Sequence, residues 1–153
     1  MIVGDSSALI ALAIMDRLDL LETLFSQVYV PQAVYDEVIV GDKAQSTKLK
    51  AFLAGKVIRV QSNVYQMGLG EGELEAIALY RELGAELLLI DDKRAKSFAR
   101  LNDVKVIGSL GVLILAKEQG LIPTVKDDIE ALERSDVYVS GTLIRKVLQL
   151  VGE

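Results

Sequence analysis

The stretch GEGELEAIALYRELGAELLLIDD, residues 70–92, decides the fold. Glu71 to Leu83 reads as a strong helix, and Gly84 stops it, since glycine tolerates the left-handed backbone of a helix end. Glu86 to Ile90 reads as a buried strand, and Asp91-Asp92 ends it. A helix followed at once by an apolar strand that closes on acids is the repeating half of a parallel α/β sheet covered on both faces.

The same order extends outward. Met1 to Gly4 predicts a buried strand ending at Asp5, followed by a helix over Ser6 to Met15 that is apolar nearly all round. Asp19 to Phe25 continues with a second helical piece. Val28-Tyr29-Val30 is a short strand closed by Pro31, and proline suits the first turn of the helix that follows, Gln32 to Val40. Gly41-Asp42 breaks that helix. Ser46 to Leu53 is helical, Gly55 ends it, and Val57 to Val60 is a strand. A loop through Gly68-Leu69-Gly70 leads into the opening stretch. Beyond it come a helix over Lys93 to Leu101, a strand over Val104 to Ile107, and a helix over Leu110 to Gln119 stopped by Gly120. Thr124 and Ser140 read as N-caps of two C-terminal helices. Alternating strands and helices predict an α/β domain with a mostly parallel sheet.

At 153 residues the chain is one domain's worth of sequence. A single domain over residues 1–153 is expected, with helices in 124–153 packing on the core or on a second subunit. There are no cysteines and no histidines. That excludes disulfides, thiolate nucleophiles, imidazole bases and His-ligated zinc. Any metal must be held mainly by oxygen, which favours magnesium or manganese. The net charge of −5 argues against coating nucleic acid by bulk charge. The apolar run Ala8 to Met15 is too short to span a membrane. No basic region precedes it, so a cytosolic protein without an evident anchor is expected.

Acids fall where ligands bind in open parallel sheets, beyond the carboxyl ends of strands. Asp5 closes the first strand, and Asp91 and Asp92 close the strand from Leu87 to Ile90. Glu37 lies in the helix entered after Val28 to Val30, and Glu73 in the first turns of the helix before the Asp91 strand. With Glu73 at zero on a wheel of ~100° per residue, Ile77 falls near about 40° and Tyr80 near about 340°. Glu71, Glu75 and Glu82 gather on the opposite, outer face. Glu73 therefore lies on the inward stripe, where an unpaired charge is costly. Each acid also has a plain structural reading. Asp5, Asp91 or Asp92 would cap the helix that follows, Glu73 would answer a helix dipole, and Glu37 would be a surface residue. Taken together, strand-end geometry converges them. Several carboxylates at one place stay ionised together only if cations share the site. The economical inference is a divalent-cation site built from Asp5, Glu37, Glu73 and Asp91.

One or two Mg²⁺ held by carboxylates point to phosphoryl chemistry. No GxxxxGK[ST] loop is present, which leaves nuclease chemistry over nucleotide hydrolysis. Lys93, Lys96, Ser97 and Arg100 form one stripe of a helix that begins beside Asp91, and Arg94 adds a further charge. The stripe is an ordinary solvated face by itself; beside a carboxylate site it is a phosphate track. Aromatic residues are 5% of the chain, and no stacking platform for bases stands out.

The chain resembles the PIN-domain nucleases, particularly the VapC-type toxin ribonucleases of bacteria and archaea. The resemblance rests on VGDSSALIAL around Asp5, VPQAVYDEV around Glu37, the opening stretch from Glu73 to Asp92, and VIGSLGVLILAKEQGLI near the end. It implies a parallel sheet of about five strands between helices, and acids that hold Mg²⁺ or Mn²⁺ for RNA phosphodiester hydrolysis. By motif match these are Asp5, Glu37, Glu73 and Asp91, with Asp92 as an auxiliary. It also implies a small antitoxin partner and a homodimer. Two positions depart from the family's pattern: Glu73 stands where many members have Asp, and Leu89 where many have a Thr hydroxyl. The GExE form around Glu73 marks a sub-branch. Two alternatives are a PIN-like module that binds RNA or protein without cleavage, and a receiver-type phosphoacceptor domain. A receiver places its acidic pair after the first strand, whereas here the pair comes late.

Overall fold

The computed structural model describes residues 1–41 and 43–153. Asp42, half of the expected Gly41-Asp42 break, lies outside the described residues. The elements run β1 (Ile2–Gly4), α1 (Ser6–Ile14), α2 (Asp19–Phe25), β2 (Val28–Pro31), α3 (Gln32–Val38), α4 (Ala44–Phe52) and β3 (Val57–Ile58). Then come α5 (Glu71–Leu83), β4 (Leu87–Leu89), α6 (Lys93–Leu101), β5 (Val106–Ile107), α7 (Ser109–Glu118), α8 (Lys126–Glu133) and α9 (Gly141–Leu150).

All strand pairs are parallel, in the order β3-β2-β1-β4-β5. The expected α/β sandwich with a five-stranded parallel sheet is what the chain forms, and the sheet is parallel throughout. β1 lies at its centre, with Ile2 opposite both Val28 and Leu87, and Gly4 opposite Leu89. The strands are apolar on both faces because helices cover both. α5 packs across β1, β2 and β4, while α1 packs on α3, α4 and α7. Right-handed crossovers explain the two layers: β1→β2→β3 step one way along the sheet, and β3→β4→β5 the other, so their helices take opposite faces. The order also removes the receiver-like alternative, whose plan runs 2-1-3-4-5.

Strand addition reverses between β1 and β4, so the crevice for ligands opens at the carboxyl ends of those two strands. The Asp5 amide donates to the Leu89 carbonyl at 2.9 Å, so β1 leaves the sheet in register with the end of β4. α1 begins there without a break, its residues Ala8, Leu9, Ala11 and Leu12 fully buried. The C-terminal helices join the same core through Ile129, Leu132, Ile144 and Val147. Ser140 caps α9 as expected, its hydroxyl accepting from the Leu143 amide at 3.1 Å. Thr124 does not cap α8. That helix starts one residue later, from Val125, and Glu153 supplies the missing acceptor from the far end of the chain.

Candidate active site

Asp5 occupies the N-cap position of α1 yet makes no capping hydrogen bond there. Its side chain points into the crevice, the residue is 3% exposed, and its Oδ1 is buried without a hydrogen-bond partner among the described residues. Burial pushes its pKa up; the Ser6 amide pulls it back, and the charges of Glu73, Glu37 and Asp92 raise it again, to about 7. The capping reading of Asp5 is therefore excluded.

Glu73 reaches the same place from α5. Its Oε1 accepts from the Gly70 amide at 3.0 Å, closing the first turn of the helix, while its Oε2 is buried without a partner. Its pKa is shifted upward. Burial is the main cause, opposed by the Gly70 amide and reinforced by the nearby Asp92 carboxyl and the charge of Glu37. The helix wheel placed Glu73 inward, and it is so placed. Glu71 and Glu82 are exposed, but Glu75 is half-buried, and its Oε1 accepts from the Ala33 amide at 3.2 Å in the first turn of α3.

Glu37 is delivered by α3. It is an exposed residue, as its plain reading had it, but its Oε2 accepts from the Ser6 hydroxyl at 2.6 Å. Its carboxylate lies against the backbone of Gly72, where a Cβ would stand 2.5 Å from Oε1. A side chain at position 72 would push the Glu37 carboxylate aside.

Asp91 follows β4 and faces the start of α7. Its Oδ1 accepts from the Ser109 amide at 2.7 Å and its Oδ2 from the Ser109 hydroxyl at 2.6 Å. Gly108 is again a close approach: a Cβ there would lie 2.8 Å from Asp91 Oδ1 and 2.9 Å from Lys96 Nζ. Asp92 caps α6 by accepting from the Ala95 amide at 2.8 Å, and it is also the acid in contact with Glu73. Leu89, at the position where a Thr hydroxyl was expected to be missed, is fully buried in the core. The hydroxyl on Asp91 comes from Ser109 instead.

Asp5, Glu37, Glu73 and Asp92 thus share one electrostatic field, while Asp91, expected among them, has both carboxylate oxygens on Ser109 at the start of α7. Among the described residues no three acids are drawn tightly enough to ligate one ion in this arrangement. The reason is visible in the hydrogen bonds: Glu37 and Asp91 are turned onto serine hydroxyls and Asp92 onto the Ala95 amide of α6. Asp5 and Glu73 keep an oxygen each for a ligand. Oxygen donors alone, two of them buried and unpaired, fit a small hard cation that retains much of its water. Ser6 and Ser109, which orient Glu37 and Asp91, were not singled out from the sequence. Each lies directly beside an acid or helix start, but the pairs span 31 and 18 residues and have no local signature.

The basic residues of α6 lie in different surroundings. Lys96 borders the crevice next to Asp91. Arg94 reaches back over Gly68 in the loop before α5. Lys93 is exposed, and Arg100 sits further along α6 by a separate cleft with Asp103 and Lys105.

An all-parallel α/β sheet with carboxylates near its switch point defines an α/β domain with an acidic site. The chain belongs to the PIN-domain family: a family model described as PIN domain matches residues 1–153. PIN domains are in general nucleases. No curated protein matches the chain. Among the described residues no helix is long and apolar enough to cross a membrane.

Proposed function

We propose that the protein is a Mg²⁺- or Mn²⁺-dependent endoribonuclease that hydrolyses RNA phosphodiester bonds. The observation that carries this reading is the pair of buried, unpartnered carboxylate oxygens, Asp5 Oδ1 and Glu73 Oε2, at the switch point of the sheet. A buried polar atom without a partner costs on the order of 1–3 kcal/mol, more when charged, so its retention calls for a ligand. A divalent cation supplies Lewis-acid activation of water and neutralises charge at the phosphate. Asp5 and Glu73 would hold it, with Asp92 next to Glu73. Glu37 and Asp91, fixed by Ser6 and Ser109, would complete the negative field and accept protons and water hydrogens at the rim. Lys96 would meet a substrate phosphate on the Asp91 side.

The VapC-type resemblance and the GExE form extend the reading. The protein would be the toxin of a toxin–antitoxin pair, held by a small antitoxin protein, homodimeric and cytoplasmic. The test of the core reading is cleavage of single-stranded RNA by purified protein with Mn²⁺, Mg²⁺ or EDTA. Cleavage with either cation and none in EDTA is expected. Asp5→Asn and Glu73→Gln should lose it, and Glu75→Gln, whose amide oxygen still accepts from Ala33, should stay near wild type. Wild-type rates in Asp5→Asn, or equal losses in the two Glu variants, would sink the assignment.

A further inference from the structure

Phosphate chemistry does not account for the cavity of about 570 Å³ that opens beside the acids. One end is polar, with Asp91, Lys96 and Ser109. The remainder is an apolar trough between α7 and α9, walled by Ile114, Leu143 and Val147 and closed by the segment before α9. Tyr138 of that segment stands in the wall and is 88% exposed. Its ring contributes little to the core, in a chain with few aromatics. Lys146 lines the same trough from α9, so cationic side chains border it on the α6 side and the α9 side. An apolar trough with an available ring and flanking ammonium groups complements a nucleobase between two phosphates, because every base has a stackable face.

Resting on the nuclease reading, we propose that this trough seats one unstacked base of single-stranded RNA on Tyr138. Lys96 and Lys146 meet the phosphates on either side of that nucleotide. The phosphodiester adjoining it then lies at the acids. Duplex RNA keeps its bases stacked and paired and cannot insert one, so the site selects single strands. The absence of a recognisable stacking platform in the sequence reflects its construction from a lone tyrosine in a connecting segment.

The test separates binding from cleavage. Fluorescence anisotropy of a short labelled RNA with the full chain in EDTA is expected to show tighter binding of the single strand than of its duplex. Tyr138→Ala should weaken single-strand binding on the order of tenfold, and Tyr138→Phe, which keeps the ring, should restore it. Lys146→Gln should reduce the slope of log affinity against log salt by about one, while Tyr138→Ala leaves that slope unchanged. Wild-type affinity in Tyr138→Ala overturns the site, as does equal binding of duplex. A change of oligomeric state in sedimentation of Tyr138→Ala, with RNA affinity intact, overturns it too and marks a protein contact instead. If wild type cleaves RNA and Tyr138→Ala does so with unchanged KM, the base site falls and the nuclease stands. If the Tyr138 dependence of binding is seen but no cation elicits cleavage, the base site stands and hydrolysis falls.

Discussion

At the scale of single residues, Asp5 carries the strongest electrostatic consequence. Its folded pKa, about 7, lies above the 3.8 of an ordinary Asp. The native state therefore holds a proton that the unfolded chain has already released. Stability from this group is complete below about pH 4 and is lost as pH rises to about 7, beyond which the loss levels off. At 1.36 kcal/mol per pH unit the loss is at most about 4 kcal/mol, and solvent relaxation reduces it. Thermal melts in EDTA should show wild type falling relative to Asp5→Asn between about pH 4 and pH 7, with the two converging at the acid end. Parallel profiles would mean that Asp5 is ionised in the native protein at little cost. The inward placement of Asp5 and Glu73 was legible in the sequence because strand-end position and helix phase are local properties. The roles of Ser6 and Ser109 were not, because a hydroxyl acquires a carboxylate partner only once distant elements meet. Asp92 shows the limit from the other side. Its cap on α6 is local, but its contact with Glu73 exists only across β4 and α5.

At the scale of elements, α5 is the best-specified part of the chain, and its observed bounds are those the sequence predicts. Glycines mark both its ends, and Gly84 takes φ 61°, the left-handed cap. α2 and α6 were equally legible. The short strands were not: β3 and β5 are two residues each, because pairing with β2 and β4, rather than apolar content, ends them. Gly72 of α5 leaves room for the Glu37 carboxylate that α3 sends toward it. Gly72→Ala improves helix propensity by up to about 1 kcal/mol. It also places a methyl 2.5 Å from Glu37 Oε1, so the carboxylate must move off Ser6. The expected variant melts no lower than wild type and cleaves on the order of 10–100-fold more slowly. A fall in melting temperature matched to the fall in activity would show instead that the helices separate. The start of α8 illustrates a cap invisible to local reading. Glu153 accepts from the Val125 amide at 2.9 Å, the Lys126 amide at 3.0 Å and Lys117 Nζ at 2.7 Å. Burial opposes ionisation of Glu153, but the Lys117 contact and these amides hold its pKa below the ordinary value. Glu153→Ala should lower stability in urea by about 1–3 kcal/mol, with α8 and α9 losing hydrogen-exchange protection before α5. Uniform loss of protection would place the clip outside those helices' own stability.

At the scale of the whole molecule, the sheet gathers carboxylates at the carboxyl ends of its central strands, where their charges raise one another's pKa. The core is apolar through β1, β4 and α1, and at their ends Asp5, Glu37, Glu73 and Asp92 act on one another in a chain with no histidine or cysteine to share their charge. A cation that binds only the folded protein stabilises it by RT ln(1 + [L]/Kd), about 2.7 kcal/mol at one hundred times Kd. For a chain of this length that is a rise of about 5–10 °C in melting temperature. Wild type should show such a rise with millimolar Mn²⁺ at pH 8, where Asp5 has released its proton. The rise should shrink toward pH 5, because a protonated Asp5 competes with the cation for the same oxygens. Asp5→Asn should melt at least as high as wild type in EDTA, since one repelling charge is gone, and should respond less to Mn²⁺. General screening predicts otherwise: shifts equal in both proteins, reproduced by NaCl at matched ionic strength. That pattern, or no response of wild type to Mn²⁺, would show that the acids hold no cation in the free protein. Their strain would then have to be relieved by substrate binding or by a partner chain.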